Sequence, residues 1–176
     1  MPIIDSGERR TFDSGAVRDI QESKGRCDLL PLIAVGNLIS CIDGEMYKFI
    51  FNTLDCYLRV GNAENLLDVI CAFAKATNTD ICTLLLSVSR HYEEGCRKYG
   101  ERNWEKGIPI YCYIDSAVRH LLKYIRLDQD ERHDRAFVWN ILGAYWTHLV
   151  MPDNFKERLP FFEFQQQEAA AGRPDA

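Results

Sequence analysis

Helical spacing of apolar residues constrains the fold of this chain more than any other feature. From Leu29 to His148, apolar side chains recur three or four residues apart, a spacing typical of amphipathic helices. One such series is Ile114, Ala117, Val118, Leu121 and Ile125. Only residues 108–114, rich in β-branched and aromatic side chains, favour a strand, and one short strand cannot form a sheet. We therefore predict an all-α fold, a bundle of about six or seven helices.

The 176 residues are enough for one domain of ordinary size. Residues 1–28 are polar, carry charges of both signs and contain three glycines, which predicts an irregular N-terminal arm rather than a helix. Residues 29–80 are expected to form extra helices, and residues 81–150 a helical core in which the charged motifs described below lie. We expect the single domain to cover residues 1–170, and residues 171–176 to form a disordered tail.

The charge balance argues against two classes of partner. The chain has 26 acidic and 21 basic residues and a net charge of −5, so it creates no field that attracts nucleic acid or an anionic membrane. No signal peptide is recognisable, and the longest apolar stretch, residues 29–39, is far short of a bilayer span. Seven cysteines without a CxxC pair predict reduced, buried thiols. We therefore expect a cytoplasmic protein that binds neither nucleic acid nor membrane.

An acidic cluster is the first feature that points to chemistry. The stretch DQDERHD, residues 128–134, holds four carboxylates where a helix is expected to begin. The helix dipole favours some of them. However, Asp130 and Glu131 lie four and three residues before Asp134, so their like charges share one helix face and repel unless a cation lies between them. The cluster fits either a helix start that favours acids or a site for a hard divalent cation.

The loop KYGERNWEKGIP, residues 98–109, is the second such feature. Lys98, Arg102 and Lys106 recur every four residues there, and cations on a loop between rigid helices suit polyphosphate recognition. Interleaved glutamates nearly balance the charge, so a solvated loop is an alternative. Two histidines, His120 and His133, adjoin the charged clusters and could orient ligands or phosphates. We expect His148, on an apolar face, to lie in the core.

Several long motifs resemble one known family. The segments RTFDSGAVRD (10–19) and KGRCDLLP (24–31) resemble the opening of the phage-encoded dATP/dGTP pyrophosphohydrolases. The block HYEEGCRKYGERNWEKGIPIYCYIDSAVRHLLKY (91–124) and the segment DERHDRAFVWN (130–140) resemble their core, in the same order along the chain. These enzymes are the MazZ-like branch of the MazG-type all-α nucleotide pyrophosphohydrolases.

This resemblance implies a MazG-like bundle that hydrolyses a purine deoxynucleoside triphosphate to the monophosphate and pyrophosphate. The implied substrate is dGTP, with dATP as the other choice. The implied role is to supply dGMP for 2-aminoadenine nucleotide synthesis in a phage, within the cytoplasm of an infected bacterial host. The implied cofactor is Mg²⁺ or Mn²⁺, held by an ExxE on one helix and an ExxD on another.

The match to that carboxylate pattern is incomplete. Glu131 and Asp134 form the ExxD, but no ExxE precedes the loop, and only the adjacent Glu93 and Glu94 stand near its place. Asp130 and His133 are alternative ligands. The expected metal ligands are Glu93, Glu94, Glu131 and Asp134. The expected catalytic residues are Glu94, Glu131 and Asp134, one of which takes the proton from the attacking water.

The resemblance also suggests which residues bind the substrate. They are Arg18, Lys24, Lys98, Arg102, Asn103, Trp104, Lys106, Arg119 and His120. The cations would hold the phosphates, and Asn103 and Trp104 would contact the base or the sugar. Trp104 is equally suited to be a packing anchor for the loop.

Two other interpretations remain open. A non-catalytic helical phage protein that binds a host partner would need neither metal nor nucleotide. A metal-dependent phosphohydrolase that releases phosphate or triphosphate would cut a different bond, and the lack of a multi-histidine metal motif argues against it. The apolar sequence of residues 29–76 further suggests a homo-oligomer.

Overall fold

A computed structural model of the chain describes residues 7–20 and 24–151. Its main elements are six α-helices: α1 (Leu32–Asp43), α2 (Glu45–Val60), α3 (Glu64–Ala76), α4 (Ile81–Tyr99), α5 (Ile110–Ile125) and α6 (His133–Val150). Two short 3-10 helices, Cys27–Leu29 and Asn103–Lys106, lie in the connections. The predicted all-α bundle is therefore confirmed. The expected tail over residues 171–176 lies outside the described residues.

The N-terminal arm is more regular than expected. Strands β1 (Arg9–Thr11) and β2 (Val17–Asp19) pair antiparallel, with Arg10 opposite Arg18. The turn between them contains Gly15 at a φ of +79°, a conformation that glycine adopts without steric cost. A two-stranded hairpin is at best marginally stable alone in water. This one therefore depends on its contacts with the helices.

The strand-like segment 108–114 is the beginning of α5. Pro109 precedes the helix with extended backbone, where its missing N–H costs no hydrogen bond. Ile110, Tyr113 and Ile114 are fully buried, so the segment places apolar side chains three and four residues apart against the core. Burial on one helix face outweighs the β propensity of these residue types.

Helix α6 is central to the bundle. It packs against α3, α4 and α5, and residues on most of its circumference are buried, among them Phe137, Ile141 and Ala144. A helix that is buried on most sides carries little amphipathic pattern. The rings of Phe137 and Phe73 on α3 lie 4.8 Å apart between centroids. Because α4 and α5 both pack against α6, their polar residues come together at one side of it.

The prediction of buried thiols is wrong for most of the cysteines. Cys112 on α5 is buried and Cys27 half-buried. The exposed cysteines are Cys41, Cys56, Cys71, Cys82 and Cys96. They lie on the exposed faces of α1 to α4. The apolar character of a cysteine and of its neighbours in the sequence therefore does not show that it lies on the buried side of its helix.

Within residues 7–20 and 24–151, no single helix has the length and apolarity needed to cross a bilayer. The bent pair of α3 and α4 passes the same test of length and composition when the two helices are taken together.

Replacing Gly143 with alanine tests the close packing of α5 on α6. An added Cβ would lie less than 3.0 Å from three ring atoms of Tyr113, so we expect Gly143→Ala to lower the free energy of unfolding by about 1–3 kcal/mol. The control is Gly95→Ala on α4, whose added Cβ meets nothing within 4 Å and which should leave stability unchanged or raised. Urea unfolding measures both. Equal stability of the two variants would contradict the packing.

Candidate functional site

A cavity of about 650 Å³ lies between the hairpin, the loop of residues 98–109 (the basic loop) and helices α4, α5 and α6. This volume is in the range of small-molecule sites. Most of the residues proposed from the sequence line it, namely Arg18, Lys24, Glu93, Arg102, Asn103, Trp104, Arg119, His120 and Glu131. The other four, Glu94, Lys98, Lys106 and Asp134, lie outside this lining.

Side chains of the basic loop and of α4 hold the hairpin over the cavity. The amide of Asn103 pairs with the backbone of Val17 in both directions, accepting from N–H at 2.9 Å and donating to the carbonyl at 2.8 Å. Lys98 Nζ and Tyr99 Oη each donate to the carboxylate of Asp19 at 2.8 Å. Asn103 and Lys98, both expected to bind substrate, are therefore engaged in positioning β2.

Arg18 on β2 lies beside the cavity with neutral hydrogen-bond partners. One guanidinium nitrogen, Nη2, donates to Asn140 Oδ1 at 2.8 Å and to Ser116 Oγ at 3.1 Å. The guanidinium also lies over the rings of Tyr113 and Trp139, at 5.1 and 5.6 Å from their centroids. Its other terminal nitrogen, Nη1, is buried without a hydrogen-bond partner in the described part of the chain. A buried donor of this kind is costly unless a ligand satisfies it.

Further cations surround the same end of the cavity. Partial burial lowers the pKa of Lys24, and the charges of Arg119, Lys98 and Arg18 lower it further, while Asp19 acts in the opposite direction. Four cations are thus close enough to influence one another, with Asp19 bound to Lys98 and Asp115 bound to Arg119 as acidic partners. Such an excess of positive charge suits an anionic ligand such as a polyphosphate.

Arg119 has a structural role as well. It donates to the carbonyls of Lys24 at 3.3 Å and Gly25 at 3.0 Å, and it pairs with Asp115 on the same helix. Asp115 is buried and accepts a hydrogen bond from the backbone N–H of Cys27 at 2.6 Å. These contacts fix the segment after the hairpin to α5 and so place Lys24 at the cavity.

The remaining basic residues of the loop are more peripheral. Arg102 is exposed and pairs with Glu105, and Lys106 is exposed outside the cavity lining.

Aromatic side chains form another wall of the cavity. Trp104 packs edge-on against Tyr92 and Trp146, with centroid distances of 5.7 and 4.8 Å. Trp104 therefore is a packing anchor and lines the cavity at the same time. Tyr92 and Trp139 also line it, and neither was identified from the sequence because aromatic residues at helical spacing are typical of any core.

The four carboxylates expected from the ExxE and ExxD pattern do not form one group. Both oxygens of Glu94 accept from Arg135, at 2.7 and 2.8 Å. Exposed Glu93 pairs with Arg97. The carboxylate of Asp134 pairs with Arg132 at 2.6 Å. Burial raises the pKa of Asp134, but hydrogen bonds from Arg132 and the backbone outweigh this effect, so the pKa lies below its usual range.

Glu131 instead lies beside two histidines. Its Oε1 is 3.1 Å from His120 Nδ1 and 3.6 Å from His133 Nδ1, and the two Nδ1 atoms are 3.0 Å apart. In the described part of the chain, the sets of three or more ligand atoms spaced for a metal are this one and Asp128, Asp130 and His133. Burial, together with the neighbouring His133, holds the pKa of His120 well below its usual value, so its imidazole is neutral at pH 7.

His91 on α4 is a further cavity residue that the sequence analysis did not identify. Only 9% of it is exposed, and its Nδ1 has no hydrogen-bond partner among the described residues. Burial lowers its pKa to about 4; the charges of Arg135 and Arg18 add to this, while Glu94 and Asp134 oppose it. The signal available in the sequence was the HxxE spacing of His91 and Glu94, which puts both on one face of α4.

Comparison with known proteins supports one family. Residues 75–155 match the family model described as dATP/dGTP diphosphohydrolase, N-terminal, a segment that contains α4, α5 and α6 and thus most of the cavity. This match supports a relation to the dNTP pyrophosphohydrolases. No curated protein and no solved structure shows a significant match to the chain.

Replacing Asn103 tests the attachment of the hairpin. Asn103→Ala leaves the N–H and carbonyl of Val17 without their partners, so we expect a local loss of about 1–3 kcal/mol and faster amide exchange across residues 9–19. Hydrogen–deuterium exchange with mass spectrometry measures this. Asn37→Ala, an exposed position on α1, is the control. Unchanged exchange in Asn103→Ala would show that other contacts hold the hairpin.

The low pKa of His91 predicts a pH dependence of stability. Between its unfolded pKa of about 6.5 and its folded pKa of about 4, the unfolded chain binds a proton that the folded protein does not. Lowering the pH from 7 to 5 should therefore remove about 2 kcal/mol of unfolding free energy through this group. His91→Gln should lack that component, and His148→Gln should retain it. Urea unfolding at both pH values, with a chelator present, measures the difference; parallel curves for wild type and His91→Gln would refute it.

Proposed function

We propose that this protein hydrolyses a purine deoxynucleoside triphosphate to the monophosphate and pyrophosphate. We propose dGTP as the substrate, with dATP as the alternative. The observation that carries the proposal is the composition of the cavity. The buried, unsatisfied donor of Arg18 and the cluster of Glu131 with two imidazoles border the same space, within or beside the segment that matches the family model.

The phosphates are bound by cations at the hairpin side. Arg18 offers its Nη1 to a phosphate oxygen without breaking its bonds to Asn140 and Ser116. Lys24 adds a second cation, and Arg102 at the exposed loop contributes a third. Phosphoryl transfer needs little covalent chemistry from the protein, so positioning and charge stabilisation account for most of the catalysis.

Attack by water on the α-phosphorus needs a proton acceptor, and Glu131 is the cavity carboxylate that lies beside the imidazoles of His120 and His133. A divalent cation, when bound, would stabilise the charge on the leaving pyrophosphate and make the water more acidic. The donor set of Glu131 and the two histidines fits such a cation. Glu93 also lines the cavity, whereas Glu94 and Asp134 could bind the cation only if their ion pairs with Arg135 and Arg132 were broken.

The aromatic wall is our proposed site for the purine. Tyr92, Trp104 and Trp139 line the cavity, and aromatic faces or edges pack against a purine ring regardless of its substituents. Guanine and adenine would then be distinguished by hydrogen bonds at the ring edge, where an unpaired polar group is costly.

The biological setting is proposed from the motif resemblance. We propose that the product dGMP feeds 2-aminoadenine nucleotide synthesis in a phage, in the cytoplasm of its bacterial host. We further propose a homo-oligomer, because α1 and α2 expose Ile33, Leu38, Ile42 and Phe49, each at least 46% exposed. These exposed apolar side chains also favour the second candidate function, that of a non-catalytic protein that binds a host partner.

Product analysis with each of the four dNTPs, with and without Mg²⁺ or Mn²⁺, tests the reaction. We expect metal-dependent release of a purine monophosphate and pyrophosphate, observed by chromatography and phosphorus NMR. Arg18→Gln should lower kcat/KM by about 100-fold or more, the loss of about 2.7 kcal/mol of transition-state stabilisation. Arg59→Gln is the matched control, because Arg59 is exposed on α2 and pairs with Asp55 one turn earlier on the same helix.

The outcomes separate the candidates. Diphosphate and phosphate as products would place the attack at a different phosphorus atom. No turnover and no nucleotide binding by wild type, with the fold intact, would favour the interaction protein. Full activity of Arg18→Gln would remove Arg18 from the phosphate site.

A further inference from the structure

We infer that His120, His133 and Glu131 form a three-ligand site for a first-row transition-metal ion, such as Mn²⁺ or Zn²⁺, in preference to Mg²⁺. The inference deepens the proposed function and rests on it insofar as the bound ion serves that reaction. Ion binding itself is measurable without substrate.

The spacing of the three ligand atoms matches that of ligands on one ion. Two atoms bound at about 2.1 Å are about 3.0 Å apart at right angles and about 3.4 Å apart at tetrahedral angles. The three separations here are 3.0 Å between the Nδ1 atoms, 3.1 Å from Glu131 Oε1 to His120 and 3.6 Å from Glu131 Oε1 to His133. The atoms come from α5, the following loop and the start of α6, so the α5–α6 packing sets their spacing.

Asp130 fixes the tautomer of His133. Its Oδ1 lies 2.6 Å from His133 Nε2, and a carboxylate can only accept there, so Nε2 carries a proton and Nδ1 is the nitrogen left to bind a metal ion. Lys123 Nζ in turn donates to Asp130 at 2.7 Å. A carboxylate behind a histidine that faces a ligand site is the usual outer partner of a metal-binding imidazole.

All three side chains of the cluster offer atoms that bind metal ions, namely two imidazole nitrogens and one carboxylate oxygen. A cation would satisfy all three atoms at once. A second observation also points to a ligand: His91, 9% exposed, lines the same cavity with an Nδ1 that has no partner in the described residues.

The donor types select the class of ion. Two imidazoles and one carboxylate suit borderline transition metals, whereas Mg²⁺ prefers oxygen ligands and retained water. In the competing group of Asp128, Asp130 and His133, Asp130 Oδ1 lies 2.6 Å from His133 Nε2, which is the spacing of a hydrogen bond and closer than two ligands of one ion. In addition, Asp128 pairs with Arg126 and lies outside the cavity lining, whereas His120 and Glu131 line it.

Binding of Co²⁺ to the chelator-treated full chain tests the site. Visible absorption should show one Co²⁺ per chain, and calorimetry should show much weaker binding of Mg²⁺. His120→Gln and His133→Gln should each lower the Co²⁺ affinity by at least 100-fold, and Asp130→Asn by 10- to 100-fold. His148→Gln and Asp128→Asn are the controls; both should bind Co²⁺ like wild type.

The variant His120→Cys distinguishes loss of a metal ligand from loss of the fold. It retains a ligand atom, so Co²⁺ should still bind and should gain a thiolate charge-transfer band in the near ultraviolet. Absence of Co²⁺ binding by wild type, or unchanged affinity in the two glutamine variants, would overturn the inference. Loss of affinity in Asp128→Asn would assign the ion to the competing group instead.

The two proposals fail in different ways. Wild type that binds Co²⁺ through His120 and His133 but hydrolyses no nucleotide would keep this site and refute the enzyme. Wild type that hydrolyses nucleotide but binds no Co²⁺ through His120 and His133 would keep the enzyme and refute this site.

Discussion

The pairing of one side-chain amide with a strand determines much of this structure. The side-chain amide of Asn103 forms hydrogen bonds with both backbone groups of Val17, as a neighbouring strand would. These bonds stabilise a hairpin that would be only marginally stable alone. The next residue on that strand is Arg18, whose guanidinium enters the cavity. Without this attachment, the cavity would lose one wall and the guanidinium that we propose as a hydrogen-bond donor to phosphate. A residue first considered for base recognition thus contributes by positioning a neighbour.

Core packing and the site are connected through Tyr113. Gly143 on α6 has no Cβ, and this lets the ring of Tyr113 approach the helix backbone. The same ring lies 5.1 Å from the guanidinium of Arg18. A tightly packed ring has little freedom to move, so it supports the cation in one position. The close contact of α5 with α6 therefore fixes the orientation of Arg18 as well as the spacing of His120 and His133.

The helices were predictable because burial on one face imposes a 3.6-residue period, which overrode the β-prone residue types of segment 108–114. The hairpin was not, because its strands of three residues are too short to show alternation. Candidate residues at the cavity were found largely through their motifs. Their partners were not, because His120 and His133 are 13 residues apart and meet only when α5 packs on α6. Likewise, nothing local indicates that Arg135 binds Glu94 on another helix.

Two arginines, half-buried Arg18 at the cavity and buried Arg135 beside it, differ in the partners that bind their guanidinium groups. Arg135 is bound by both oxygens of Glu94, so its charge is neutralised inside the protein and an anion would have to displace a carboxylate. Arg18 is held by the neutral oxygens of Asn140 and Ser116 and by two aromatic faces. These contacts offset part of its desolvation but do not neutralise its positive charge. Of the two, Arg18 is therefore the one suited to receive a phosphate, since binding restores a charge pair without breaking an existing one.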